Sequence, residues 1–194
     1  MSCGFRIIYG YSQSDEISLL FHLDDATFGR KERKLLSILA AEASVAFSKA
    51  AERHAVFDCR LVPLPSEQYV IDYFRWRQED AGRNSLNSYC YWQLRTDGFN
   101  PGDAQQQISG ITNAQKSELL LSHGINYDEL PSWQKFGIGM YYKDVSKVGY
   151  NPVTGQSTQC LRRVLYIEEE LPTGTDYSKL LSQILSINSP EGKQ

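Results

Sequence analysis

No apolar run in the chain approaches the ~18 residues that a membrane span requires. The first residues, Met1-Ser2-Cys3-Gly4-Phe5-Arg6, lack the hydrophobic core of a signal peptide. Cysteine is sparse: Cys3, Cys59, Cys90 and Cys160 are scattered with no C-x-x-C pair, which argues against a structural zinc site and reads as thiols of a reducing compartment. Positive charge is not in excess. A net charge of −3 and a pI near 5.6 exclude a general nucleic-acid mop, so any RNA contact must come from local basic patches. His22, His54 and His123 are not at metal-ligand spacing, and neither a G-x-S-x-G elbow nor a Walker A loop occurs. Internal repeats and low-complexity tracts are absent too. What is present is 194 residues, 41% of them hydrophobic, which is enough for one globular domain with an ordinary core and no covalent staple. The expectation is an intracellular, cytoplasmic protein with no membrane partner.

The hydrophobic pattern predicts strands at Phe5–Gly10 and Glu16–Leu23, joined by a polar turn, as a hairpin with carboxylates at its tip. It predicts a helix over Arg30–Ala51 and a third strand over Val56–Leu64. Ser66 can cap a long helix that ends at Asp97-Gly98. Shorter helices follow near Pro101–Ile111 and Ala114–Ser122, then strands at Gly137–Val145 and Gln159–Glu168 around a Gly149–Gly155 loop. A last helix spans Asp176–Ile187, and residues 189–194 form a loose tail. This order describes an α+β layout with helices over a mainly antiparallel sheet.

Five groups of residues carry chemistry in this pattern. Ser14-Asp15-Glu16 places two acids where a turn meets a strand, and Mg²⁺ is usually held by one or two carboxylates plus substrate phosphates; a solvated turn is the plainer reading. Arg30, Lys31, Arg33 and Lys34 crowd a helix start, against the macrodipole, which makes sense if an anion binds there; a solvated basic turn is the equal alternative. Asp58 and Arg60, two apart, would share a face of the third strand, either lining the site or forming a simple structural pair. Arg77, Asp80, Asn84 and Asn87 fall within about 80° of helical arc, either a solvated stripe or a nucleotide-facing one. Lys116 and Glu118 begin a later helix, and Lys135, Lys143, Lys147, Arg162 and Arg163 add scattered positive charge.

Several segments resemble the tRNA-His guanylyltransferase superfamily, in particular its guanylyltransferase-like branch, which works in the 3′-to-5′ direction. They are Gln13-Ser14-Asp15-Glu16, Phe57-Asp58-Cys59-Arg60 with Pro65-Ser66-Glu67-Gln68, and Asp72-Tyr73-Phe74-Arg75-Trp76-Arg77-Gln78. Lys116-Ser117-Glu118, Gly124-Ile125-Asn126-Tyr127, Leu130-Pro131-Ser132-Trp133-Gln134-Lys135 and Asn151-Pro152-x-Thr154-Gly155 complete the set. The resemblance implies a polymerase-palm-like, ferredoxin-like antiparallel sheet with helices on one side. It implies an incomplete catalytic core over residues 1–65 and a helical and hairpin extension over 66–188.

The same resemblance implies Mg²⁺-dependent addition of nucleotides, from GTP or ATP, to a tRNA 5′ end, in an enzyme that assembles as a homo-oligomer. It assigns the metal and catalysis to Asp15 and Glu16. It places a triphosphate-contacting lysine at Lys34 and activity or tRNA contact at Arg60, Asp80, Asn84 and Lys116; the anion-binding reading of the residues themselves adds Ser14, Arg30 and Lys31 to the nucleotide-binding set. The family's Phe-Asp-Gly-Arg strand, which supplies a further metal ligand, is not found before Phe5, and a histidine of some members is Gly82 here. The expectation is therefore an amino-terminally incomplete member, the alternative being a non-catalytic tRNA- or nucleotide-binding homologue acting in an assembly. A palm-fold nucleotidyl cyclase relative is a weaker third.

Overall fold

A computed structural model describes residues 4–189. Cys3 and the part of the expected tail beyond Ser189 lie outside the described residues. Strands β1 (Ile7–Gln13) and β2 (Glu16–Phe21) form the expected hairpin. Its turn is only Ser14-Asp15, and Ser14 adopts a positive φ of 55°. A short 3-10 turn (Thr27–Arg30) leads into α1 (Glu32–Ala51). The long helix α2 (Glu67–Thr96) starts as expected, with the Ser66 hydroxyl accepting from the Tyr69 N–H, and ends at Asp97-Gly98. Helices α3 (Pro101–Ile108), α4 (Asn113–Ser122) and α5 (Ser132–Phe136) follow, then β3 (Ile138–Tyr150), β4 (Ser157–Glu168) and α6 (Gly174–Ile187). The sheet is antiparallel throughout, in the order β2-β1-β3-β4.

The α+β class and the antiparallel sheet match expectation; the distribution of helices does not. Ile7 pairs with Phe21 but Tyr9 pairs with Leu20, so a bulge between them turns Ile7 and Tyr9 to opposite faces. Tyr9, Tyr11 and Tyr141 then pack against Phe74 of α2 and Tyr177 of α6. Ile7 packs with Phe5 and Leu35 of α1 beside Leu19 and Phe21. Helices thus cover both faces, α2 and α6 on one and α1 on the other. On the α2 side, Val70, Ile71, Phe74 and Ala81 recur at helical spacing and are buried. The Tyr9 and Tyr177 hydroxyls meet at 2.7 Å inside that core, and burial raises both phenols far above their ordinary value.

The expected strand at Val56–Leu64 does not form. The alternation of β-branched and polar residues is there, but a strand needs a partner for its backbone groups. Here the partners are hydroxyls of α1: the Ala55 N–H donates to Ser48 Oγ at 2.9 Å and the Phe57 N–H to Ser44 Oγ at 2.8 Å. Asp58 and Arg60 lie on the exposed side of this irregular run, so the charged strand face expected there is absent. Cys59 is half-buried, and burial followed by the Asp58 charge pushes its thiol up, the opposite of an activated nucleophile.

Candidate functional site

The hairpin turn leans over the polar stripe of α2 and closes a cleft of about 460 Å³. Ser14, Asp15 and Glu16 form one wall. The other is α2, which presents Arg77, Asp80, Asn84 and Ser88 at spacings of three to four residues. Gln134 of α5 and Tyr89 close one end. Glu16 forms an ion pair with Arg77, whose side chain is only 10% exposed and whose guanidinium sits 5.3 Å from the Trp76 ring centroid. Asp80 is held by Asn84 Nδ2 and Arg83, each at 3.0 Å. Asp15, exposed, lines the mouth of the cleft from the turn.

Beneath this cleft lies Tyr11, buried, its hydroxyl donating to the Phe136 carbonyl at 2.8 Å. Burial raises its pKa, Arg77 opposes that and Asp80 adds to it, so the phenol stays neutral below its neighbours' charges. Two glycines let α5 come this close. A Cβ on Gly82 would meet the Phe136 ring at 2.9 Å, so a side chain there would have to displace that ring. Gly137 has φ +76°, and a Cβ there would lie 2.5 Å from the Ser12 carbonyl oxygen.

Of the residues expected from sequence, the fold brings Ser14, Asp15, Glu16, Asp80 and Asn84 together. It does not bring Arg30, Lys31 and Lys34 to them. β2 runs from the acidic turn to the loop before α1, and six residues at about 3.3 Å each separate the two ends by roughly 20 Å. Arg30 turns back to donate to the Leu23 and Asp25 carbonyls, at 2.9 and 3.2 Å. Lys31 and Lys34 are exposed at the start of α1. Arg60 is exposed in the irregular run, and Lys116 lies on α4, its carbonyl accepting from the Cys90 thiol. Ser88, Tyr89 and Gln134 line the cleft without having been singled out as site residues, and Arg77 joins it from the helical stripe that had been. For Arg77 the signal was in the sequence, since it belongs to the same 80° stripe as Asp80 and Asn84.

Among the described residues no group of three or more His, Cys, Asp or Glu side chains is arranged to hold a metal ion. The donors facing the cleft fit a hard cation that shares its shell with phosphate: Asp15 and Glu16 supply carboxylate oxygens, and Mg²⁺ usually takes one or two of these. They do not suffice for an all-protein site.

An acidic turn of an antiparallel hairpin, set against a polar helical stripe, defines an α+β protein with a carboxylate-bearing cleft. Comparison with known proteins narrows this. Residues 68–170 match the domain described as "Thg1 C terminal domain" and residues 1–65 the family described as "tRNAHis guanylyltransferase". The chain belongs to the tRNA-His guanylyltransferase family. The "Probable tRNA(His) guanylyltransferase" of Drosophila melanogaster is 35% identical over 149 residues, 72% of this chain and 52% of that one. The tRNA(His) guanylyltransferase of Debaryomyces hansenii is 33% identical over 135 residues, 63% and 51%. The chain spans about half the length of these curated relatives. Among solved structures, a bacterial tRNA(His) guanylyltransferase-like protein in complex with ATP superposes with a TM-score of 0.64 at 25% identity, covering 93% of this chain and 71% of that one. The tRNA(His) guanylyltransferase of Saccharomyces cerevisiae gives 0.62 at 28%, covering 69% and 64%. No helix among the described residues is long and apolar enough to cross a membrane.

Proposed function

We propose that the chain carries out Mg²⁺-dependent transfer of a nucleotide, from GTP or ATP, to the 5′ end of a tRNA inside the cell, in the 3′-to-5′ direction. The observation that carries this reading is the convergence of Asp15 and Glu16 with Arg77, Asp80 and Asn84 around one cleft, in a chain of this family. Asp15 and Glu16 would hold the magnesium ion, which when bound neutralises phosphate charge and steadies the attacking and leaving oxygens. Arg77 supplies a guanidinium already desolvated on Trp76, a group suited to a phosphate oxygen. Its pairing with Glu16 keeps both side chains oriented, and phosphate competes with Glu16 for it. Asn84 and Ser88 offer neutral hydrogen bonds to ribose or phosphate. Lys34, Arg60 and Lys116 lie outside this cleft and belong, on this reading, to contacts with the long tRNA body or with another copy in an oligomer.

Asp15→Asn should lower nucleotide incorporation at least about 100-fold while the cooperative melt is kept, since the turn is exposed and packs nothing. Unchanged incorporation would remove Asp15 from the reaction. A second reading, a non-catalytic tRNA- or nucleotide-binding homologue working in an assembly, is favoured by the lack of a metal-holding cluster of three ligands among the described residues. Steady incorporation by the isolated chain would exclude it.

A further inference from the structure

A second cleft, of about 430 Å³, adjoins the acidic one across the Ser14 turn. The two share Gln13, Ser14, Tyr89 and Gln134. The second differs in chemistry: its remaining walls are Ser12, Ile138 and Trp133, and no charged side chain lines it. Trp133 is 46% exposed, an indole left half in water on a five-residue helix. The Tyr89 hydroxyl donates to Gln134 Oε1 at 2.6 Å, which fixes the amide and leaves the two Nε2 hydrogens as donors. Ser85 Oγ donates to the Gln134 carbonyl at 2.9 Å and pins the backbone beneath. An aromatic face beside pre-oriented amide donors, without charge, suits a planar heterocycle rather than a phosphate.

We infer that this second cleft is the subsite for an unpaired nucleobase at the 5′ end of the RNA acceptor. The base stacks on Trp133 and its edge accepts from the Gln134 amide, while the triphosphate occupies the acidic cleft. The inference rests on the nucleotidyl-transfer reading above. Joining a nucleoside triphosphate to an RNA end requires two adjoining sites, and here the turn that carries the acids is the wall between them.

The test is a binding cycle with the full chain and a short 5′-phosphorylated RNA hairpin that ends in one unpaired nucleotide. Trp133→Ala should weaken hairpin binding about tenfold and Trp133→Phe less than about threefold, because a phenyl ring still stacks. GTP affinity should change less than about twofold in either. Replacing the terminal nucleotide of the hairpin by an abasic one should cost wild type the same roughly tenfold and cost Trp133→Ala nothing more. Undiminished binding of the abasic hairpin to wild type overturns the subsite, as does an equal loss in both backgrounds. Trp133 emission that follows protein concentration and ignores RNA would give the slot to a second copy of the chain and also overturn it. If Trp133→Ala melts early, Trp133→Phe and the abasic hairpin still decide. Failure of Asp15→Asn to alter incorporation, with the Trp133 cycle intact, would sink the catalytic reading alone; a wild type that ignores the hairpin sinks both.

Discussion

On the α2 side of the sheet, eleven buried residues from Tyr9 to Ile184 form one cluster, whereas on the α1 side the buried cluster is Phe5, Ile7 and Leu35. The sheet therefore has a dense face and, on the other side of β1 and β2, a thin one. The acidic cleft sits on the dense face, directly above Tyr11 and Ala81. That is where carboxylates can be held to a fixed geometry, because their supports cannot move without breaking close packing. The basic start of α1 belongs to the thin face, near exposed Phe28, with Val45, Phe47 and Val56 exposed further along the chain. Side chains on such a surface adapt to a partner more readily than they position an atom.

Mutation can sharpen this contrast. The largest loss is expected for Phe74→Ala, about 3–5 kcal/mol in urea unfolding, because the ring packs edge-on against both Tyr9 and Tyr73. Leu35→Ala should cost about 2–3 kcal/mol, since fewer buried neighbours line its cavity. Equal losses at the two sites would break the contrast.

Next comes Asp25→Asn, at about 1–3 kcal/mol. Burial opposes the charged form of Asp25, but the Thr27 and Arg6 N–H groups, each donating at 2.8 Å, and the nearby Arg30 outweigh it and hold the carboxyl below its ordinary value. Its stabilising effect is therefore present above the ordinary carboxylate range and is lost as pH falls through the lower folded value. The amide variant cannot titrate and should flatten that part of the acid unfolding curve; an unchanged slope would show that Asp25 does not contribute. The smallest effect is expected for Phe47→Ser, within about 1 kcal/mol, because the ring is half-exposed and its aromatic partner is Phe57, edge-on at 5.6 Å. A larger loss would mean that the thin face is packed better than its exposure suggests.

The parts of this molecule legible in the sequence were those written locally. The hairpin, the Ser66 cap, the stop at Asp97-Gly98 and the 80° stripe with Asp80 and Asn84 follow from residue type and spacing. The acidic turn was legible as a carboxylate-bearing hairpin tip, though not that Arg77 would reach it. What failed depended on partners distant in the chain. Val56–Leu64 has strand composition, yet its N–H groups go to serines of α1. The bulge between Ile7 and Tyr9 reverses one side chain and so places α1 across the sheet from α2. Gln134 was invisible as a site residue because α5 is a single short turn, seated at the cleft by Ser85 and Tyr89 of α2 with close approaches at Gly82 and Gly137. The basic helix start read as a neighbour of the acids because both flank β2, but they flank it at opposite ends.

Whether the triphosphate lies between the acidic turn and α2 is read most directly from a crystal structure with GTP and Mg²⁺. Phosphate oxygens are expected between Asp15, Glu16 and Arg77, with the Glu16–Arg77 pair opened. Phosphates bound instead at the start of α1, on Lys31 and Lys34, with that pair intact, would contradict the proposed site.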